Sequence, residues 1–288
     1  MYRFTMTALS AGVLALAAVM PAAAQTLQEN NARMLGQMQQ ARGLGDAEMA
    51  RIRSIFAGSQ FIGQGNPAVT RHLMTPQQLE AKLGQDPKRY YRNAAFERIC
   101  GAPYMAPLYD PATESPEDAK VCADMFEYPG VPGVYPVTWV RAKEAAELCR
   151  AEGKRIGDAH EWEGASHGAL TPPDYFFGLS VQAARRKHNA KYQATARYSI
   201  GEEWRAGVCA TGSQKSASCD GGSFGVCGSN TYPAGSFPQC KSPLGVYDLD
   251  GNAAEHMNLP KSPDQMASRG SRKLGVTEMK GSWFIWDT

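Results

Sequence analysis

Apolar residues recur at helical spacing along the first part of the chain. Residues 25–57 show this pattern, with Asp46 placed to cap a helix and with Ile52 and Phe56 on its apolar face. Residues 75–78 read Thr-Pro-Gln-Gln, a capping box with proline at the first helical position. The sequence therefore predicts a mainly helical N-terminal region.

Further along, short strands and short helices are expected to alternate. Residues 121–129 alternate in polarity as a strand does. Residues 141–151 carry alanines and a leucine at helical spacing, and Gly153 ends that helix. A capping box at residues 158–161 opens another helix, and the lone His160 is expected at the surface of its first turn.

The most informative polar stretch follows an apolar segment near the end of the chain. Leu244 and Val246 predict a short strand that leads into the Asp-Gly-Asn turn at residues 250–252. Asp248 and Glu255 lie on either side of that turn, and two carboxylates with free carbonyls between them can form an oxygen cage for calcium. Asp-Gly turns are common, so the spacing alone favours a plain hairpin turn over a metal site.

The start of the chain indicates export. A short cationic start precedes an apolar run over residues 8–20, and Pro-Ala-Ala-Ala follows it. This is the pattern of a signal peptide, which we assign to residues 1–24, and the run is too short for a membrane anchor. We therefore expect a periplasmic or secreted protein with no membrane attachment after the signal is removed.

Composition narrows the class of protein. The 288 residues carry a formal net charge of +2, and 43% of them are hydrophobic. That is enough for a core, and the absence of a sustained basic run argues against nucleic acid as a partner. The 29 glycines and 18 prolines favour a loop-rich fold over a helical bundle.

Seven cysteines follow the predicted signal peptide, and in an oxidising compartment they are expected to form disulfides. The odd number leaves at least one thiol unpaired within the chain. Cys100 and Cys122 can close the loop between them, although the sequence does not fix the pairing. Zinc-type binding by the last four is disfavoured because no C-x-x-C spacing is present; these are Cys209, Cys219, Cys227 and Cys240.

A series of short motifs occurs in an order that resembles the formylglycine-generating enzyme (sulfatase-modifying factor) family. The chain is identified as a member by segments spread over residues 121–283. They are Phe-Glu-Tyr-Pro at 126–129, Pro-Val-Thr-Trp-Val at 136–140, Gly-Lys-Arg-Ile at 153–156, Glu-Trp-Glu-Gly-Ala at 161–165, Tyr-Phe-Phe-Gly at 175–178, Gly-Ser-Phe-Pro at 235–238 with Leu-Gly-Val-Tyr-Asp at 244–248 and Gly-Asn-Ala-Ala-Glu-His at 251–256, and Lys-Gly-Ser-Trp at 280–283. Residues 181–204 match no family segment, and we expect a solvated helix there.

The resemblance implies an α+β fold: an irregular C-type-lectin-like domain over residues 116–288, preceded by a helical region and linker over residues 25–115. It also implies a calcium ion at the polar turn, held by the side chains of Asp248 and Glu255 and by the carbonyls of Gly251 and Ala253. Active members hold copper with two cysteine thiolates and oxidise a substrate cysteine to formylglycine. Soft thiolates suit Cu(I).

The family's catalytic cysteine pair follows the Gly-Ser-Trp motif, and no cysteine follows that motif in residues 281–288. Cys149 matches a family position whose disulfide partner lies in the same missing part. We therefore expect residues 1–288 to be inactive as they stand, with copper bound only if a longer form carries the pair. Two hypotheses remain: an exported oxidoreductase of the formylglycine-generating type acting on a protein or peptide, and a non-catalytic peptide- or glycan-binding module of the same fold.

Overall fold

The computed structural model of the protein describes residues 26–64, 72, 74–193, 198–213 and 229–281. The predicted signal peptide, Cys219 and Cys227 lie outside these residues. Helices and short strands are mixed within them, so the α+β prediction is confirmed. No helix among them is both long and apolar enough to cross a membrane.

Five helices form the N-terminal region, and three more follow the first pair of strands. The helices are α1 (Leu27–Arg42), α2 (Asp46–Ala57), α3 (Pro76–Leu83), α4 (Pro87–Tyr90), α5 (Ala94–Cys100), α6 (Ala142–Ala151), α7 (Ala159–His167) and α8 (Val181–Gln193). The capping box that opens α3 is confirmed, with the Thr75 hydroxyl accepting from the Gln78 amide. The predicted cap at Asp46 is wrong by one residue, because Gly45 occupies the cap position and Asp46 begins α2.

Two small antiparallel sheets complete the regular structure. β1 (Met105–Leu108) pairs with β2 (Val121–Asp124), and β3 (Glu255–Leu259) pairs with β4 (Val276–Lys280). The strand predicted for residues 121–129 therefore ends five residues early, because the chain bends at residues 125–127 and turns at residues 128–129.

The strand predicted around Leu244 and Val246 is wrong. Gly245 has φ 89°, and its amide donates to the Ser242 carbonyl, so the segment is a turn. A single bridge between Lys241 and Tyr247 is the β-type pairing seen in this segment.

The N-terminal helices share a hydrophobic core with the region that follows β2. Met38 and Ile52 are fully buried against residues that include Val131 and Leu148. Arg42, at the end of α1, also reaches across: its guanidinium lies 2.7 Å from Asp124 and donates to the Gly130 carbonyl. The two regions are therefore packed as one unit, while the boundary placed between residues 115 and 116 stays a prediction.

Two disulfides cross-link the loop-rich part of the described residues. Cys100–Cys122 joins the end of α5 to β2, and Cys209–Cys240 joins two loops next to the polar turn. These bonds fit an extracytoplasmic protein. Cys149 is the free cysteine of the described residues.

Candidate functional site

The predicted polar turn has a backbone that few residue types can adopt. Asp248, Gly251 and Asn252 all have positive φ angles, of 59°, 104° and 58°. A side chain at Gly251 would place its Cβ 2.5 Å from the carbonyl oxygen of Ala210, and that same oxygen accepts a hydrogen bond from the Asn252 amide at 2.8 Å. The turn is thus fixed against the loop that carries Cys209, and glycine is required there.

Glu127 holds the far side of the turn, although it lies 125 residues away in the sequence. Its carboxylate accepts from the Asn252 side chain at 2.8 Å and from the Ala253 amide at 2.7 Å. The side-chain oxygen Oδ1 of Asn252 in turn accepts from the Tyr232 backbone amide at 2.7 Å. Sequence analysis predicted no role for Glu127, because the local pattern carries no sign of so distant a contact.

Two of the predicted ligand side chains are buried with an oxygen left unpaired. Asp248 is 1% exposed, and its Oδ2 accepts from the Gly235 amide at 2.7 Å. Its Oδ1 and the Oε2 of Glu255 are buried and accept no hydrogen bond in the described part of the protein. An unpaired buried carboxylate oxygen is costly, so each of these atoms calls for a cation or a proton.

Three carboxylates are buried near one another at the turn, and their pKa values are raised as a result. They belong to Glu127, Asp248 and Glu255. Burial raises the pKa of Asp248 to about 7. Burial also raises the pKa of Glu127 and that of Glu255 well above their usual range, and the negative charge of Asp248 adds to both. Without a cation, some of these groups hold protons at neutral pH.

The residues present fit the calcium ion that the family implies. The orphaned oxygens of Asp248 and Glu255 are hard donors, and no hydrogen bond to the carbonyl of Gly251 or Ala253 occurs within the described residues. No group of three or more His, Cys, Asp or Glu side chains lies close enough together there to hold a metal. The predicted calcium site of two carboxylates and two carbonyls therefore stays a prediction.

A cleft opens beside the turn, with an open volume of about 1190 Å³. We call it the Trp162 cleft; its walls include Tyr128, Cys149, Arg155, Trp162, Tyr247 and His256. Arg155 is paired with Glu161 at 2.6 Å, and His256 Nε2 lies 2.8 Å from the Val140 carbonyl oxygen. Burial raises the pKa of the Cys149 thiol to about 12, so this cysteine is a neutral thiol at physiological pH.

Beyond the cleft, the surface position expected for His160 is wrong, and the helix expected after residue 180 is present and mostly exposed, with His188 buried. His160 is 6% exposed rather than a surface residue, because the Tyr175 hydroxyl lies 2.5 Å from its Nδ1 and accepts from its amide. His188 makes α8 more than a solvated helix: its Nε2 lies 2.7 Å from Glu163 and its Nδ1 lies 3.1 Å from Asp174. Burial opposes protonation of His188, but the bond to Glu163 outweighs it and raises the pKa.

Comparison with known proteins agrees with the motif order. The family model described as sulfatase-modifying factor enzyme 1-like domain matches residues 120–283. The match covers β2, α6 to α8, the polar turn and both strands of the second sheet. No curated protein matches the chain.

Proposed function

Because the chain belongs to the family of sulfatase-modifying factor enzyme 1-like domains, we propose that it binds a protein or peptide segment in the Trp162 cleft. The observation that carries the proposal is the cleft itself, which is open, has aromatic walls and lies against the rigid polar turn. Extended peptides are commonly bound in clefts that combine aromatic walls with a few placed polar groups. The signal peptide predicted at residues 1–24 and the two disulfides of the described residues support a periplasmic or secreted place of action.

Calcium has a structural role in this proposal. Asp248 and Glu255 hold the ion with their side chains, and Gly251 and Ala253 do so with their carbonyls. The ion neutralises two buried carboxylates, which fixes the turn that forms one wall of the cleft. Glu127 does not bind the ion; it holds the Asn252 side chain and the Ala253 backbone amide in position.

A second candidate function is oxidation of a substrate cysteine to formylglycine, and family membership favours it. Copper bound by two thiolates supplies that chemistry in the family. Cys149 is unsuited to provide such a thiolate, since it is half-buried and its pKa is raised to about 12. In this candidate we expect the cysteine pair to come from a longer form of the protein, whereas binding in the cleft needs no such pair.

The experiment uses the full chain, secreted and purified with its disulfides intact. A short fluorescent peptide with one central cysteine is titrated in the presence of calcium, and binding is followed by fluorescence anisotropy. We expect binding to weaken about tenfold in Trp162→Leu, which removes an aromatic wall. The exposed Phe61 does not line the cleft and gives the control variant Phe61→Ala, which should bind as the wild type does.

The same mixtures test the second candidate. After incubation with copper and oxygen, an aldehyde-reactive hydroxylamine probe reports formylglycine in the peptide. Binding without aldehyde supports a binding module, and aldehyde formed by residues 1–288 supports the oxidase and contradicts the expected inactivity. Equal binding by the wild type and Trp162→Leu, with both folded, would reject the cleft as the site.

A further inference from the structure

A second groove continues from the Trp162 cleft. Ile156 and Met257 line both of them, so the two are contiguous. The second groove runs between α6 and the β3–β4 hairpin and has an open volume of about 700 Å³. We call it the basic groove; its walls include Ala142, Lys143, Ala146, Arg150, Arg272 and Val276.

The charges of the basic groove all have one sign. Lys143, Arg150 and Arg272 line it, and among the described residues no aspartate or glutamate does. The Lys143 ammonium lies 3.9 Å from the Glu147 carboxylate, which makes a weak ion pair, and 86% of the lysine side chain is exposed. Arg150 and Arg272 are exposed and form no ion pair within the described residues.

The cations of the neighbouring cleft are different, because carboxylates of this chain already neutralise them. Lys154 lies 2.7 Å from Asp124, and Arg155 lies 2.6 Å from Glu161. A ligand that follows both grooves thus passes from a neutralised surface to one with uncompensated positive charge. An anionic group of the ligand gains most in the basic groove.

The floor of the basic groove favours a peptide over a polyanion. Ala142, Ala146, Leu274 and Val276 give it an apolar base between the cations. A segment that alternates acidic and apolar side chains satisfies both features, since successive side chains of an extended chain point to opposite sides. A nucleic acid has no side chains for the apolar base.

We propose that the peptide bound in the Trp162 cleft extends into the basic groove, and that the basic groove selects peptides with acidic residues in that extension. This inference rests on the proposed function and adds a preference to it: segments with glutamate or aspartate on the side that reaches Arg150 and Arg272 bind best.

The test compares three short fluorescent peptides, in which leucine alternates with glutamate, serine or lysine. We expect the glutamate peptide to bind the wild type about tenfold more tightly than the serine peptide, and the lysine peptide to bind most weakly. Arg150→Glu combined with Arg272→Glu should abolish the advantage of glutamate and leave binding of the serine peptide within about twofold. Added salt should reduce the advantage in the wild type.

A matched control separates local recognition from bulk charge. Arg53→Glu combined with Arg89→Glu changes the net charge equally, at exposed positions outside the groove, and should keep the advantage of glutamate. An equal loss in this control would overturn the inference. So would single-stranded DNA that binds as tightly as the glutamate peptide. If the serine peptide binds but glutamate confers no advantage, the acidic preference fails and the cleft stands; if no peptide binds, both fail.

Discussion

At the scale of single residues, Asp248 is the residue of the turn whose charge state most needs an explanation. Its Oδ2 is satisfied by the Gly235 amide, whereas its Oδ1 has no hydrogen bond among the described residues. A buried carboxylate in this state is stabilised either by a bound cation or by a proton. A cation binds the ionised carboxylate, which higher pH favours, whereas lower pH favours the bound proton. The stability of the protein can be measured for each case.

Calcium should raise the melting temperature of the wild-type protein. It should leave the melting temperature of the Asp248→Asn variant unchanged. The neutral amide removes one of the two negative charges of the predicted site, and calcium affinity depends on the number of charged ligands. At a calcium concentration of ~100 times the Kd, mass action predicts about 2.7 kcal/mol of added stability. Differential scanning fluorimetry with calcium or with a chelator measures it, and Asp264→Asn, at an exposed acid paired with Lys273, should respond as the wild type does. Identical wild-type curves with calcium and with chelator would reject the site.

Without calcium, stability should fall as the pH rises from about 4 towards 8. The pKa of Asp248 is about 7 in the folded protein and ~3.9 in an unfolded chain, so the folded state binds more protons between these values. The cost of ionising the buried group is absent below the unfolded pKa and complete above the folded one. Urea titrations in chelator at several pH values should show this slope, and Asp248→Asn should flatten it. A wild-type slope of the opposite sign would contradict the assignment.

At the scale of elements, His188 should decide how firmly α8 is held. Its imidazole joins α8 to Glu163 on α7 and to Asp174. Because the folded pKa of His188 is raised, this stabilisation is complete below ~6.5 and is lost as the pH rises through the folded value. His188→Ala should therefore speed amide hydrogen exchange across α8 at pH 6. Arg186→Ala, at an exposed position of the same helix, should not, and equal protection in both variants would show that the histidine does not hold the helix.

The sequence predicted those elements whose signals are local. The Thr75 capping box and the Gly153 stop each lie within a few residues of the helix end that they define, and both occur as expected. The strand wrongly predicted around residues 244–246 shows where a local pattern is not sufficient. Leu244 and Val246 have a strand-like pattern, but the positive φ of Gly245 turns the chain where the sequence has no means to show it.

The candidate site divides in the same way. Asp248 and Glu255 could be named because family motifs surround them, whereas Glu127 contacts the turn from 125 residues away. His160 is buried by Tyr175, whose contact with it depends on the path of the intervening loop. Ligands in one short segment are therefore visible in the sequence, and the residues that position them are not.

At the scale of the whole molecule, the N-terminal helices and the family domain should unfold together, because they share one core. Met38 on α1 is fully buried against that core, so Met38→Ala should lower the free energy of unfolding by about 2–5 kcal/mol. Far-UV circular dichroism, which follows all helices, and tryptophan fluorescence should report one urea transition, shifted equally for both probes. The control Met279→Ala, at a methionine that is 51% exposed, should change stability by less than about 0.5 kcal/mol. Two separate transitions, with only the first moved by Met38→Ala, would show instead that the helical region folds on its own.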